Sequence, residues 1–126
     1  MIIGVPRETK ADEHRVGLLP SGVYQLIQRG HRVVVEKDAG AGSFYLDSDY
    51  VDAGAELVNT HEAVFEQANL IVKVKEPQLD ETVLLRSGQI LFTYLHLAPA
   101  HSLTEALIQS GSTAIAYETI EINGRL

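Results

Sequence analysis

The chain has no cysteine. That excludes a disulfide framework and any thiolate-ligated metal, and it fits a reducing compartment. Positive charge is scarce. Ten lysines and arginines stand against 17 acidic residues, a net charge of −7, which argues against a nucleic-acid surface or a polybasic membrane patch. No apolar run approaches the ~20 residues of a membrane-spanning helix. The opening "MIIGVPRETK" is too briefly apolar for a signal peptide, and its charges follow the apolar part instead of preceding it. Low-complexity tracts and internal repeats are missing too. The five histidines, His14, His31, His61, His96 and His101, show no metal-ligand spacing. What remains is one domain's worth of chain, 126 residues and 45% apolar, enough for a real core. A soluble, cytoplasmic, globular protein is expected.

Short β-branched runs alternate with helical patterns. Strands are expected at 1–5, in "HRVVVE", "AELV", "NLIVKV", "GQILFTYLHL" and "STAIAYETI". Helices are expected in "PSGVYQLIQRG", stopped by Gly30, near Asp47–Ala53, in "THEAVFEQA" opened by Thr60, over 78–86, and in "SLTEALIQSG". In the last of these, Ser102 and Glu105 have capping-box spacing. Such alternation predicts an α/β fold of the Rossmann-like or flavodoxin-like kind, a mostly parallel sheet with helices on both faces. Ligands of such sheets bind beyond the carboxyl ends of the strands.

Three stretches could carry chemistry there. In "LIVKVKEP", Ile71, Lys73 and Lys75 would share one strand face, with the lysine Cα atoms roughly 7 Å apart. Lysine is rarely buried unless paired. Either this is a wet strand end, with one lysine pairing with Glu76, or something anionic meets the pair. In "FTYLHLAP", Phe92, Tyr94 and His96 share a face, and His96 falls at a strand terminus. There it could move protons near neutral pH or serve as a hydrogen-bonded structural residue. In the charged loop 6–20, Arg15 is followed by Val16, Leu18 and Leu19, so the chain is returning to the core. An arginine held at that point could fork a carboxylate, although a solvated charged loop is the plainer reading. The fourth conspicuous stretch, "DAGAGSF", offers G-x-G at Gly40 and Gly42, but Tyr45 occupies the third glycine position. It reads as a turn, and no cofactor-binding residue is expected in this chain.

Taken in order, "GVPRETK", "RVGLLPSGV", "AGAGS", "YVDAGAE", "KVKEP", "GQILFTYLHLAP" and "AYETI" resemble the L-alanine dehydrogenases almost end to end. The first domain of the nicotinamide nucleotide transhydrogenases is similar over the early motifs but typically lacks the counterparts of Lys75 and His96. The resemblance implies reversible NAD-dependent deamination of L-alanine to pyruvate and ammonium, in a homo-oligomer. It implies Arg15 on the substrate carboxylate, Lys75 on the substrate oxygen and His96 as general acid and base. It also implies that residues 1–126 are a segment of the substrate-binding domain, that NAD is bound by a domain outside it, and that the segment alone is inactive. A transhydrogenase or saccharopine-type first domain, or a non-catalytic α/β binding module, are the alternatives.

Overall fold

The computed structural model describes residues 1–126. Six strands, β1 (Ile2–Val5), β2 (Arg32–Glu36), β3 (Glu56–Val58), β4 (Leu70–Val72), β5 (Ile90–Thr93) and β6 (Thr113–Ala116), form one sheet in the order β3-β2-β1-β4-β5-β6. Every pairing is parallel. The helices are α1 (Pro20–Gln28), α2 (Asp47–Asp52), α3 (His61–Gln67), α4 (Leu79–Thr82) and α5 (His101–Ser110). The chain winds outward from β1 to β3, returns through α3 and builds the other half from β4 to β6. This is the doubly wound arrangement, and its strand order reverses between β1 and β4. None of the helices is long and apolar enough to cross a membrane.

The "VVV" of β2 shows why the strands read as continuous apolar runs. Val33 and Val35 enter a core with Ile3, Val5, Val23 of α1 and Tyr50 of α2. Val34 points the other way, into a core with Val64 and Phe65 of α3, Ile71, Leu91, and Leu103 and Leu107 of α5. Both faces of the central strands are covered, so neither side of them needs polar residues, whereas the edge strands β3 and β6 are largely exposed.

Several local expectations meet their causes. Thr60 caps α3, accepting from the Ala63 amide at 3.3 Å. Gly30 follows α1 with φ +83°, and Gly111 ends α5 with φ +68°. The capping box at α5 does not form. Ala100 donates its amide to Leu97 O at 2.9 Å, so the chain turns early and the helix starts at His101, with Ser102 already inside it. Glu105 faces His101 one turn away instead. The helix expected over 78–86 is only the four residues of α4.

The strands "NLIVKV", "GQILFTYLHL" and "STAIAYETI" also end early, at Val72, Thr93 and Ala116. Two single bonds continue the ladder, Lys73 N to Phe92 O at 3.1 Å and Tyr94 N to Val74 O at 3.4 Å. Beyond them, carboxylates take the amides that a longer ladder would have used.

Candidate active site

Four loops leave the carboxyl ends of β1, β4, β5 and β6 and meet beside the point where the strand order reverses. The first carries Glu8, Glu13 and Arg15, the second Lys73 and Lys75, the third Tyr94 and His96, the fourth Tyr117 and Glu118. A cavity of about 250 Å³ lies among them, lined by Arg15, Val74, Lys75, Tyr94 and Tyr117. Arg15 and Lys75, distant in sequence, therefore line one space. His96 does not line it. Its ring stacks on Tyr94 with centroids 5.9 Å apart and faces a neighbouring cavity with Leu95, Ala98, Ala116 and Glu118.

The two tyrosines give the cavity its walls. Lys75 Nζ sits 5.5 Å from the centre of the Tyr94 ring, a cation–π distance. Tyr117 packs against Tyr94 at 6.3 Å and donates its hydroxyl to Val74 O at 2.6 Å. Neither tyrosine stands out in the sequence as a site residue. Tyr94 is visible as the same-face neighbour of His96, whereas Tyr117 sits in what reads as an ordinary strand.

Arg15 is exposed, and its fork is already engaged. Nε and Nη2 donate to the two Glu13 oxygens at 2.8 and 2.7 Å. That pairing holds the Glu13 carboxyl down at about 2. A guanidinium has five N–H donors, so Glu13 leaves three for a ligand. The carboxylate-binding fork read from the sequence is thus partnered from within its own loop.

The two lysines part company. Lys73 is 1% exposed and lies between Glu8 Oε2 at 3.2 Å and Glu81 Oε1 at 3.0 Å. Glu81 Oε1 also meets His61 Nε2 at 2.9 Å, and His61 Nδ1 meets Glu36 Oε2 at 2.7 Å. Burial alone would push His61 down, but bonds from both carboxylates carry it up to about 9. Glu36 and Glu81 are held below the usual carboxylate range: burial opposes this, and is outweighed by His61 together with the Arg7 amide at Glu36, and by His61 together with Lys73 and the Gln78 amide at Glu81. Lys73 is therefore a buried member of an internal ion network, not a solvated strand end. Lys75, one alternation further, reaches the cavity. Glu76, offered above as a lysine partner, pairs with Lys10.

The backbone beneath Lys75 and His96 is held by acids. Glu8 accepts from the Val74 and Lys75 amides at 2.6 and 3.3 Å, and Thr93 Oγ1 donates to Lys75 O at 2.7 Å. Glu118 Oε1 accepts from the Leu95 and His96 amides at 3.0 and 2.9 Å. Burial pushes the Glu118 carboxyl up, yet these amides keep it below its ordinary value.

The glycine-rich loop does not fit a nicotinamide dinucleotide. A Cβ at Gly42 would lie 2.5 Å from the His14 carbonyl oxygen, and one at Gly40 would lie 2.6 Å from the Tyr50 ring. These glycines let the loop pack against its own protein. The loop continues into one short 3-10 turn, Ala41–Ser43, and not into a long helix whose amino terminus could receive a pyrophosphate.

Fold and cavity together define a class: a doubly wound α/β domain that gathers an arginine and a lysine at its switch point, with a histidine one ring away. The family model described as "Alanine dehydrogenase/PNT, N-terminal domain" matches residues 4–125, and the chain belongs to that family. It is 50% identical over 125 residues to an alanine dehydrogenase of Staphylococcus haemolyticus and 51% identical over 125 residues to one of Methanococcus maripaludis. Each match takes in 99% of this chain and 33–34% of the relative, so the chain spans about a third of the length of the curated relatives it matches. Among solved structures, an L-alanine dehydrogenase superposes with a TM-score of 0.96 at 50% identity, over all of this chain and 35% of that one. A transhydrogenase from Sinorhizobium meliloti superposes at 0.89 with 30% identity, over 98% of this chain and 37% of that one.

Proposed function

We propose that this chain is the substrate-binding part of an NAD-dependent alanine dehydrogenase, interconverting L-alanine and pyruvate plus ammonium. The observation that carries the reading is the convergence of Arg15 and Lys75 on one small cavity, with His96 stacked on its Tyr94 wall. A 2-oxo acid presents a carboxylate and a carbonyl oxygen. The free N–H donors of Arg15 suit the first, and the ammonium of Lys75 suits the second. Conversion of imine to ketone adds water and expels ammonia, and both steps move protons on oxygen. His96 is the group of suitable chemistry beside the cavity. The nicotinamide supplies the hydride acceptor and is held outside these 126 residues. The identity of about 50% to alanine dehydrogenases supports this reading over a transhydrogenase first domain. A cytoplasmic homo-oligomer completes it, in keeping with the absence of cysteine and with exposed Phe44, Leu46 and Val51.

The test is a panel of L-amino acids and 2-oxo acids offered with NAD or NADH to the whole protein that contains this chain. Alanine and pyruvate should lead, and His96→Ala should lower kcat by about 10²–10⁴. Preference for a different amino acid, or an unchanged kcat in His96→Ala, would refute the assignment.

A further inference from the structure

The same device occurs twice at the carboxyl edge of the sheet. At each of two strand ends, one carboxylate from another loop accepts two successive backbone amides. Glu8 takes those of Val74 and Lys75, and Glu118 takes those of Leu95 and His96. The second amide of each pair belongs to a residue proposed above to act on substrate. We infer that Glu8 and Glu118 are positioning residues, setting where Lys75 and His96 stand relative to the cavity. The inference rests on the proposed function for its catalytic consequence, but the two clamps themselves are independent of any substrate.

The backbone shows why a clamp is needed. His96 has φ +46°, a left-handed conformation that costs a non-glycine residue free energy unless its surroundings impose it. A carboxylate bonded to both the Leu95 and His96 amides imposes it. Charge-assisted bonds of this kind are about twice as strong as neutral ones. Without them, the turn could relax toward the β region and swing the imidazole off Tyr94. Lys75 has ordinary backbone geometry but a long side chain. Its base is fixed on one side by Glu8 and on the other by Thr93.

The two clamps differ in a way that separates them experimentally. Glu118 uses a single oxygen, Oε1, for both amides. A glutamine there keeps an acceptor in the same place, so Glu118→Gln should retain most function while Glu118→Ala loses it. Glu8 uses both oxygens, and Oε2 also meets the Lys73 ammonium. Glu8→Gln would turn an NH₂ group toward donors, so the isosteric change should itself be damaging.

The experiment has two arms. In ¹⁵N-labelled 126-residue chain, Glu118→Ala should shift the Leu95 and His96 amide resonances and raise their hydrogen exchange, with Glu118→Gln much closer to the unaltered protein. In the whole enzyme, Glu118→Ala should lower kcat by on the order of 10²-fold, the cost of displacing a reacting group by about 1 Å. KM for the 2-oxo acid should hold, and Glu118→Gln should recover most of the loss. Glu8→Gln should instead raise KM. His61→Gln, which weakens the same buried ion network without touching the Lys75 backbone, should lower the melting temperature and leave KM unchanged. Amides that do not respond to Glu118→Ala would overturn the clamp. Amides that respond while kcat stays constant would overturn the positioning role. So would a rise in KM in His61→Gln that matched that in Glu8→Gln. If the unaltered enzyme shows no alanine or pyruvate turnover, the functional reading fails, and the amide arm still decides the clamp.

Discussion

Raising the pH from about 6 to about 10 should cost this domain a substantial part of its stability through one residue, His61. The ring lies between Glu36 and Glu81, 2.7 and 2.9 Å from their oxygens, and is mostly covered. Its folded-state value is about 9, against 6.5 when free. The folded protein therefore binds this proton more tightly than the unfolded chain does. Below about 6.5 both states carry it, and the stabilisation is complete. Between 6.5 and about 9 the unfolded chain has released it while the folded state still holds it, and the advantage shrinks. Above about 9 it is gone. The span between the two values, at about 1.4 kcal/mol per unit, sets a ceiling of about 3 kcal/mol. Against a typical total of about 5–15 kcal/mol, that is a large share. The groups facing His61 are Glu36 and Glu81, with Lys73 behind Glu81. The two acids are depressed and lend stability that is lost only as pH falls through their folded values, on the opposite side of neutrality. Urea midpoints at the two pH extremes, for the unaltered chain and for His61→Gln, isolate the effect from other titrating groups. The unaltered chain should lose stability with a slope that His61→Gln lacks. Equal slopes in the two proteins would refute the reasoning.

Two further outcomes concern single positions. Gly42→Ala would bring a Cβ to 2.5 Å from the His14 carbonyl, a backbone atom that cannot swing aside. It should cost about 1–3 kcal/mol by overpacking and disturb the neighbouring Glu13–Arg15 pair, read as a lower melting temperature and a weaker affinity for 2-oxo acid. Thr60→Ala removes the α3 cap and should cost about 1 kcal/mol in a denaturant titration, with no change in the cavity residues.

Strand and helix order was legible because a parallel sheet covered on both faces writes itself as short apolar runs between helical patterns. "RVVVE" and "LIV" needed no context. Helix and strand ends were less legible, since long-range partners decide them. The Val74 and Lys75 amides leave the ladder because Glu8, 66 and 67 residues away in sequence, takes them. Leu95 and His96 leave it because Glu118 does the same from 23 and 22 residues away. No periodicity within "KVKEP" or "YLHL" encodes either event. The α5 start was missed for a related reason: the turn at Leu97–Ala100 brings the helix in early, and the Ser102–Glu105 spacing is left without a role.

The lysine pair shows where pattern stops and packing begins. Two residues apart on a β-like alternation, Lys73 and Lys75 look equivalent, and sequence alone permits both to be wet. Lys73 is enclosed by Glu8 and Glu81, whereas Lys75 emerges beside Tyr94. What separates them is a small change in depth at the edge of a sheet. A charge that remains inside must find partners, because an unpaired buried ammonium costs far more than a paired one. The acids that meet this need come from the loop after β1 and from α4, so the distinction is tertiary from the start. Glu8 joins the two lysines, neutralising the first and holding the backbone of the second. The buried lysine thus anchors the carboxylate that fixes the half-buried one, which gives a physical reason for two lysines to stand so close together in this stretch.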